Sequence, residues 1–215
     1  MSWLDILFPN RCLECDTIIK GEEIVCISCL EKINFTHWEF GDNPLKQKAE
    51  FLFPLEKAFA LMYFEQLGLS RKIIHELKYK NQEKIGKILA HWVAERVNLN
   101  ESKPDLLVNI PLHPKKLKQR GYNQLHLFTE CLSALWGIPY RHDLLKRNHY
   151  KKAQATKDKS HREDTQNAFS CTENIENQHV LLIDDVFTTG NTMSAAAWEI
   201  LKKNNKVSIL VMAMD

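Results

Sequence analysis

The strongest constraint on the fold of this chain is one ordered string near its C-terminus, VLLIDDVFTTGNTM at residues 180–193. Its first four residues are apolar and form a short continuous run, as a strand buried on both faces requires. Two carboxylates, Asp184 and Asp185, then fall where that strand is expected to reach the solvent-facing edge of a sheet. The string therefore predicts a buried parallel strand with an acid pair at its carboxyl end.

A polar turn follows the acid pair. Its residues are small, carry hydroxyl or amide groups and include one glycine: Thr188, Thr189, Gly190, Asn191 and Thr192. The backbone N–H groups of such a turn can surround a phosphate, and residues 193–203 have the composition of a helix whose N-terminus would point at it. In an open α/β sheet this unit places a ligand beyond the carboxyl ends of the strands.

The string LLIDDVFTTGNTM resembles the ribose-phosphate signature of type I phosphoribosyltransferases. The resemblance implies that Asp184 and Asp185 are catalytic residues that hold the ribose hydroxyls of phosphoribosyl pyrophosphate, and that residues 188–192 cradle its 5'-phosphate. The residue types suit these roles, because carboxylates accept hydrogen bonds from a vicinal diol and backbone donors at a helix start suit a phosphate dianion. The alternative is an ordinary strand-turn-helix unit with an acid-rich strand end.

Four cysteines provide a second constraint near the N-terminus. Cys12, Cys15, Cys26 and Cys29 have the spacing C-x2-C-x10-C-x2-C, which lets four thiolates converge on one tetrahedral zinc ion. A disulfide pair would need an oxidising compartment, and a redox dithiol would not need the second cysteine pair. We therefore predict a structural zinc ribbon that is too small to fold without its metal.

The rest of the chain is long enough for one α/β domain. We place the ribbon and a polar linker in residues 1–50 and the larger domain in residues 51–215, with a separate core for each. The predicted architecture is α/β, with a central, mostly parallel sheet flanked by helices. Apolar runs predict strands and apolar residues at helical spacing predict helices, the strands over 58–64 and 105–110 and the helices over 70–79, 83–97 and 124–136.

A basic stretch, PLHPKKLKQRGYNQ, follows the second of these strands. Pro111 and Pro114 predict an extended loop here. In type I phosphoribosyltransferases the loop after the corresponding strand receives pyrophosphate. The resemblance therefore implies that the cluster binds pyrophosphate, whereas a solvated basic helix start is the alternative. The cluster consists of His113, Lys115, Lys116 and Arg120, with Lys118 between them.

The combined motifs resemble one family across almost the entire chain. The four-cysteine ribbon, PLHP with its basic residues, and R-G-Y-N-Q at 120–124 are similar to the ComF family of competence-associated, phosphoribosyltransferase-like proteins. Residues 146–168 resemble the mobile catalytic loop of this enzyme class, with Gln154 and Arg162 in the family pattern, so the resemblance implies a catalytic role for Arg162. A surface loop without function is the alternative for this segment.

The ComF resemblance also implies a function. The ligand would be phosphoribosyl pyrophosphate or a related ribose phosphate, with Mg²⁺ bridging its ribose hydroxyls and pyrophosphate, and the protein would take part in DNA uptake. The rival hypothesis is a non-catalytic competence factor that keeps an inactive phosphoribosyl pocket and binds single-stranded DNA or a protein of the competence machinery. The sequence leaves the acceptor of the phosphoribosyl group open.

Charge is unevenly distributed along the chain. Between Lys115 and Arg162 twelve Lys and Arg residues stand against three acids, so this segment carries +9 and the remainder −7 of the net charge of +2. An anionic ligand or partner is therefore expected near it. No apolar run is long enough to span a membrane and the N-terminus lacks a secretory pattern, which predicts a cytoplasmic protein.

Overall fold

The computed structural model describes residues 9–79, 84–99, 102–148 and 168–215. No helix within these ranges is long and apolar enough to cross a membrane. The strands predicted over 58–64 and 105–110 and the helices predicted over 70–79, 83–97 and 124–136 are all present, with each end within three residues of the prediction. The helices are α1 (Ile27–Leu30), α2 (Pro44–Glu50), α3 (Leu69–Tyr79), α4 (Lys84–Ala94), α5 (Pro114–Arg120), α6 (Leu125–Trp136) and α7 (Asn191–Leu201). The strands are β1 (Ala58–Tyr63), β2 (Leu106–Asn109), β3 (Tyr140–Arg141), β4 (Leu145–Arg147), β5 (Phe169–Cys171), β6 (His179–Phe187) and β7 (Lys206–Met214).

Five strands form one parallel sheet in the order β1-β7-β6-β2-β3, and β4 and β5 pair antiparallel as a separate hairpin. The predicted parallel sheet is thus confirmed. Because all five strands point the same way, their carboxyl ends lie along one edge. The chain continues from β2 to β3 on one side and from β6 to β7 on the other. The crevice between β2 and β6 is therefore the place where an open α/β sheet is expected to bind a ligand.

Both faces of the sheet are covered. Successive side chains of a strand point to opposite faces, and β6 shows this alternation. Leu181 and Ile183 belong to a core that also contains residues of α3, α4 and α6. Val180 and Leu182 belong to a second core, with residues of α2, α7 and the β4-β5 hairpin. All four of these β6 side chains are fully buried, as their continuous apolar run predicts.

The N-terminal ribbon shares its core with the sheet. Cys12 and Cys29 belong to the same continuous cluster of buried side chains as Phe59 of β1. Phe35, just after the ribbon, packs edge to face on Trp92 of α4 with 5.6 Å between ring centroids. The prediction of separate cores is therefore wrong, because cysteine spacing reports metal geometry and not the surface against which the ribbon packs. The domain boundary at residue 50 stays a prediction.

The segment predicted to be a polar linker is ordered. Asn43 caps α2, since its side chain accepts a hydrogen bond from the Lys46 N–H at 3.1 Å, and Pro44 takes the first helical position. Upstream, Phe35 and Gly41 form isolated antiparallel bridges with β1. The polar composition therefore reflects a helix cap and strand bridging.

The basic stretch after β2 contains the short helix α5, where an extended loop is predicted from sequence. Its cap is His113, whose Nδ1 accepts a hydrogen bond from the Lys115 N–H at 3.2 Å. Pro114 lacks an N–H that would need a partner at the first helical position, so it starts this helix instead of excluding it. The helix ends at Gly121, whose φ of +80° is readily adopted by glycine.

Candidate functional site at the carboxyl edge of the sheet

The strand β6 runs through the acid pair. Asp184 is still paired with Val211 of β7, and the strand continues to Phe187. By the alternation along β6, the Asp185 side chain lies on the α3 face, like that of Ile183, and the Asp184 side chain lies on the α7 face. Both residues are only partly exposed. The acid pair is therefore recessed, and not at the fully solvent-facing strand end predicted from sequence.

Two side chains from the α3 face hold Asp185. The Nζ of Lys78 pairs with its Oδ1 at 3.0 Å, and the Nε2 of Gln124 donates to its Oδ2. The Oε1 of Gln124 in turn accepts a hydrogen bond from Nη1 of Arg120 at 2.8 Å. Gln124 is only 2% exposed, so the connection runs through the protein interior. A continuous path of polar contacts thus joins the basic stretch after β2 to the acid pair on β6.

Two other side chains of the R-G-Y-N-Q element, Tyr122 and Asn123, anchor this polar path to α3 and α6. The Tyr122 hydroxyl donates to the Leu77 carbonyl of α3 at 2.5 Å. The buried Asn123 side chain accepts from the Leu125 N–H at 3.0 Å and so supports the start of α6. Because hydrogen bonds hold Tyr122 and Asn123, the two residues before it, Gln124 has a fixed orientation towards Asp185.

The pKa of the Asp184 carboxyl group lies well above the ordinary value for aspartate. Burial raises its pKa to about 7, and the nearby Asp185 carboxylate acts in the same direction. The Asp185 N–H, which donates to Asp184 Oδ1 at 2.8 Å, and the cations Lys78 and Arg147 oppose this rise. Asp184 therefore titrates near neutral pH, where a carboxyl group can exchange a proton with a bound ligand.

We expect Asp184→Asn to raise the stability of the protein at pH 8 and to change it little at pH 4. The folded-state pKa of about 7 lies above the ordinary value of 3.8. Between these values the unfolded chain has lost the proton and the folded chain has kept it, so the free energy of unfolding falls as pH rises. An asparagine side chain does not ionise, so the substitution removes this loss of stability, which amounts to roughly 1–4 kcal/mol above neutral pH.

Thermal unfolding of both proteins at pH 4, 6 and 8 measures this effect. Asp143→Asn is a matched control of opposite sign, because a hydrogen bond from Arg141 holds the pKa of the exposed Asp143 carboxyl below its ordinary value. That control should lose stability at pH 8. A difference between wild type and Asp184→Asn that stays constant from pH 4 to pH 8 would show that Asp184 does not titrate near neutrality.

The turn after β6 encloses a cavity of about 50 Å³, the size of one small anion. Asp184 and residues 186–193 line it. A Cβ at Gly190, where φ is +75°, would lie 2.5 Å from Leu52 Cδ1, so glycine is needed for conformation and for space. Gly190 also stands at the N-cap of α7 and offers no side-chain acceptor to that helix. The N–H groups of its first turn are therefore suited to a phosphate.

The structure links one of the predicted pyrophosphate-binding side chains to the acid pair. Arg120 is half-buried and reaches Asp185 through Gln124. Lys115, Lys116 and Lys118 are exposed on α5, and His113 caps that helix. The predicted catalytic-loop residues Gln154 and Arg162 lie outside the described residues. The assignment of these side chains to pyrophosphate and catalysis stays a prediction.

Three further side chains surround the acid pair, and sequence analysis assigned no role to any of them. They are Lys78 of α3, Gln124 before α6 and Arg147 at the end of β4. The Arg147 guanidinium lies over the Phe169 ring, 5.3 Å from its centroid, and acts electrostatically on Asp184. These residues come from elements far apart in sequence, and only tertiary packing brings them to β6. Of these three residues, Gln124 alone belongs to a motif recognised in the sequence, the R-G-Y-N-Q element.

The four predicted zinc ligands come together in the ribbon. The Sγ atoms of Cys12, Cys15, Cys26 and Cys29 all lie within 4.8 Å of one another, and those of Cys15 and Cys26 are 3.6 Å apart. A tetrahedral zinc with Zn–S bonds of about 2.3 Å requires sulfur separations of about 3.8 Å. The donor set and its geometry therefore fit one structural zinc ion.

Local contacts act differently on the cysteines of the ribbon. Hydrogen bonds, the largest contribution coming from the Thr17 hydroxyl 3.2 Å from Cys15 Sγ, lower the pKa of Cys15 to about 6, whereas burial raises the pKa of Cys29 to about 12. Gly21 reverses the chain between the two cysteine pairs with a φ of +75°. The Asn10 side chain donates to the carbonyls of Gly21 and Glu23 at 3.1 and 2.7 Å, which ties this turn to the first knuckle.

Two family models match the chain. Residues 77–214 match the phosphoribosyl transferase domain, and residues 3–40 match the double zinc ribbon domain. The parallel sheet with its acid pair and phosphate turn, preceded by a four-cysteine ribbon, thus defines a protein of the phosphoribosyltransferase-domain class.

Curated relatives narrow this class. The chain is 30% identical to Competence protein F of Haemophilus influenzae over 201 residues, which are 89% of this chain and 84% of that protein. It is 37% identical to Competence protein ComFC of Bacillus subtilis over 105 residues, 48% of this chain and 41% of the relative. It is 25% identical to DNA utilization protein YhgH of Escherichia coli O157:H7 over 210 residues, 93% of this chain and 87% of the relative. The chain belongs to the ComF family.

Solved structures show more distant similarity. Adenine phosphoribosyltransferase from Leishmania tarentolae aligns with a TM-score of 0.41 and 15% identity over 87% of each chain. A likeness at this level says nothing about ligand or function.

Proposed function

We propose that this protein binds phosphoribosyl pyrophosphate, or a related ribose phosphate, in the crevice between β2 and β6 and transfers the phosphoribosyl group to a nucleophile. The observation that carries the proposal is the juxtaposition of three parts at one sheet edge. These are the acid pair of β6, the anion-sized cavity of the turn after it, and Arg120, joined to Asp185 by Gln124. The acid pair lies between the other two, as the ribose lies between the phosphates of this ligand.

The proposed reaction is a displacement at C1 of the ribose. The nucleophile's lone pair forms a bond to C1 while the C1–O bond breaks, and pyrophosphate leaves with that electron pair through an oxocarbenium-like state. Asp184 and Asp185 accept hydrogen bonds from the ribose hydroxyls. The negative charge of Asp185, and that of Asp184 when it is ionised, favours the cationic state. Backbone N–H groups at residues 188–192 hold the 5'-phosphate, and Arg120 stabilises the charge on pyrophosphate.

Lys78 and Gln124 orient Asp185 for this role. A carboxylate offers about four lone-pair sites, and the two contacts leave it able to accept from a ribose hydroxyl. Because its orientation is already fixed, Asp185 loses little freedom when a ligand binds. The carboxylates are also hard oxygen donors that suit Mg²⁺, which would neutralise charge on the leaving group.

Titration with ligands tests the proposal. Phosphoribosyl pyrophosphate, ribose 5-phosphate and nucleotides are compared by thermal shift and calorimetry, each with Mg²⁺. A ligand that binds only the native state stabilises it by about 2.7 kcal/mol at a hundredfold excess over Kd, and we expect phosphoribosyl pyrophosphate to give the largest shift. If none of these ligands shifts the unfolding temperature at millimolar concentration, the binding proposal is wrong. Pyrophosphate release with candidate acceptors then tests for turnover.

A second candidate is a non-catalytic competence factor that keeps an inactive pocket and binds single-stranded DNA or a partner protein. Its support is the exposed basic side of α5, with Lys115, Lys116 and Lys118. The relatives' names, which include competence and DNA utilization proteins, also favour a role in DNA uptake. Both candidate functions use the same basic stretch. They can be distinguished by how the affinity for each ligand changes with salt and with substitutions in that stretch.

We expect Arg120→Ala to weaken binding of phosphoribosyl pyrophosphate by about 1.5–3 kcal/mol, the range for a charge-assisted hydrogen bond. Lys118→Ala is the control: it removes an exposed charge from the same helix and should change this affinity little. Calorimetry measures both affinities.

The salt dependence of binding distinguishes a DNA-binding role of the basic stretch from a pyrophosphate-binding role. Single-stranded DNA binding weakens with salt by a slope of roughly −0.7 per neutralised phosphate in log affinity against log concentration, whereas one small anion in a pocket responds far less. An Arg120→Ala protein that binds phosphoribosyl pyrophosphate normally, but loses DNA binding of steep salt dependence, would support the second candidate and contradict the first.

A further inference from the structure

A second cavity, of about 320 Å³, lies beside the acid pair, and the proposed function leaves it without a role. It opens between α3 and the carboxyl ends of β1 and β6. Part of its wall is apolar, with Phe64 after β1, the buried Ile74 of α3 and Val186 of β6. This volume and these walls suit the faces of a flat ring.

The helix α3 adds basic side chains to the same cavity. Arg71, His75 and Lys78 line it together with Ile74. Their spacing of i, i+4 and i+7 puts them on one stripe of the helix. Lys78 is already paired with Asp185 at 3.0 Å. The positive charge that this lining offers to an anionic ligand is therefore mainly that of Arg71.

Arg71 is partly fixed in place. Its Nη1 donates to the Gln66 carbonyl at 2.9 Å in the turn that precedes α3. A guanidinium carries five N–H donors in a planar fork, so this contact holds Arg71 while other donors remain available for a carboxylate. Charge-assisted, bidentate hydrogen bonds from arginine are among the strongest contacts that a side chain makes with a carboxylate.

The cavity adjoins the proposed ribose site through shared residues. Lys78 lines it and also pairs with Asp185 at 3.0 Å. Thr188 lines it and begins the turn that would hold the 5'-phosphate. A molecule in the cavity would therefore lie next to the ribose, on the α3 side of β6.

We propose that this cavity binds the acceptor of the phosphoribosyl group, and that the acceptor is a planar nitrogen heterocycle bearing a carboxylate. The inference rests on the proposed function. The ring packs between Phe64, Ile74 and Val186, and the carboxylate pairs with the exposed Arg71 through charge-assisted hydrogen bonds. A ring nitrogen then forms the bond to C1 with its lone pair, pyrophosphate leaves with the C1–O electrons, and any proton on that nitrogen passes to water.

Matched pairs of probes test the charge requirement. Nicotinate is compared with nicotinamide, and orotate with uracil, because each pair shares a ring and differs in the carboxylate. We expect the two acids to bind the wild-type protein in calorimetry and the two neutral compounds to bind at least tenfold more weakly. Saturation with phosphoribosyl pyrophosphate should strengthen binding of the acids.

Substitution of Arg71 locates the site. Arg71→Ala should weaken binding of the acids about 10- to 100-fold, the loss of one charge-assisted contact, and Arg71→Lys should restore part of it. Neither variant should change the affinity for phosphoribosyl pyrophosphate. Lys72→Ala is the control, because this neighbour on α3 pairs with Glu14 of the ribbon and does not line the cavity.

The outcomes separate this inference from the proposed function. If phosphoribosyl pyrophosphate binds but the acids do not, or if Arg71→Ala leaves their binding unchanged, the acceptor inference is wrong and the proposed function stands. If the acids bind in an Arg71-dependent way but phosphoribosyl pyrophosphate does not bind, the cavity is an anion site and its acceptor role is refuted along with the proposed function.

Discussion

Cys12→Ser is expected to lower the free energy of unfolding of the whole chain by about 5 kcal/mol or more, because structural zinc contributes roughly 10 kcal/mol to small zinc domains. The loss should extend beyond the ribbon, since Cys12 and Cys29 share a core with Phe59 of β1. Metal analysis should find about one zinc per wild-type chain. Denaturant unfolding, followed by far-ultraviolet circular dichroism, measures the effect on the whole chain, including the sheet and helix α4 against which Phe35 packs.

The control for this experiment is Cys131→Ser. This thiol is half-buried on α6, with its Sγ 4.0 Å from the Lys87 carbonyl of α4, and it lies outside the zinc cluster. The variant should keep its zinc and lose no more than about 1 kcal/mol. If the sheet of Cys12→Ser unfolds at the wild-type denaturant concentration, the ribbon and the sheet are energetically independent despite their common core.

The double substitution Asp184→Asn and Asp185→Asn is expected to weaken binding of phosphoribosyl pyrophosphate at least about a hundredfold. Both charge-assisted acceptors for the ribose hydroxyls are lost, and each is worth about 1.5–3 kcal/mol. Calorimetry with Mg²⁺ measures the affinity. Asp105→Asn is the matched control, because Asp105 accepts from the His179 N–H at the opposite, amino end of β6. Unchanged affinity in the double variant would refute the ribose assignment.

Folding of the double variant must be checked separately. Asp185 is the ion-pair partner of Lys78, whose side chain is only 21% exposed. Replacing Asp185 leaves that ammonium without its carboxylate, and an unpaired, partly buried charge is costly. If the double variant is unstable, adding Lys78→Met removes the unpaired cation and should restore the fold. Circular dichroism and the unfolding temperature report this, so that loss of binding and loss of structure are distinguished.

Three of the five strands of the sheet, β1, β2 and β6, could be predicted from local sequence, whereas β3 and β7 were not predicted. A parallel strand buried on both faces appears as a continuous apolar run, and β1, β2 and β6 all have such runs. The cysteine spacing predicted the ligand cluster because four thiolates need two close pairs. The turn chemistry indicated a backbone conformation that favours glycine at Gly190, and its φ of +75° agrees with this; a Cβ there would also displace the side chains of Leu52 and Phe187. The role of this turn in phosphate binding stays a prediction.

Two features that local sequence did not predict depend on long-range packing. The ribbon docks through Phe35 on Trp92, which are 57 residues apart, and no local pattern encodes that contact. Gln124 and Asp185 likewise meet across 61 residues. The prediction of an extended basic stretch has a local cause, because the residue before a proline is biased away from helical backbone angles. At Pro114 the missing N–H falls at the first helical position, where an N–H has no partner within the helix, so its loss costs nothing.

The segment that connects the ribbon to α2 has a consequence for how the protein behaves in solution. The strand β1 is one of the two edge strands of the sheet. Phe35 and Gly41 bridge to it, and the Tyr63 N–H donates to the Asn34 carbonyl at 2.9 Å. An uncovered strand edge is a template on which another chain can add. A shortened protein beginning at residue 51, where the composition suggests a boundary, would bare this edge and invite copies to pair and aggregate.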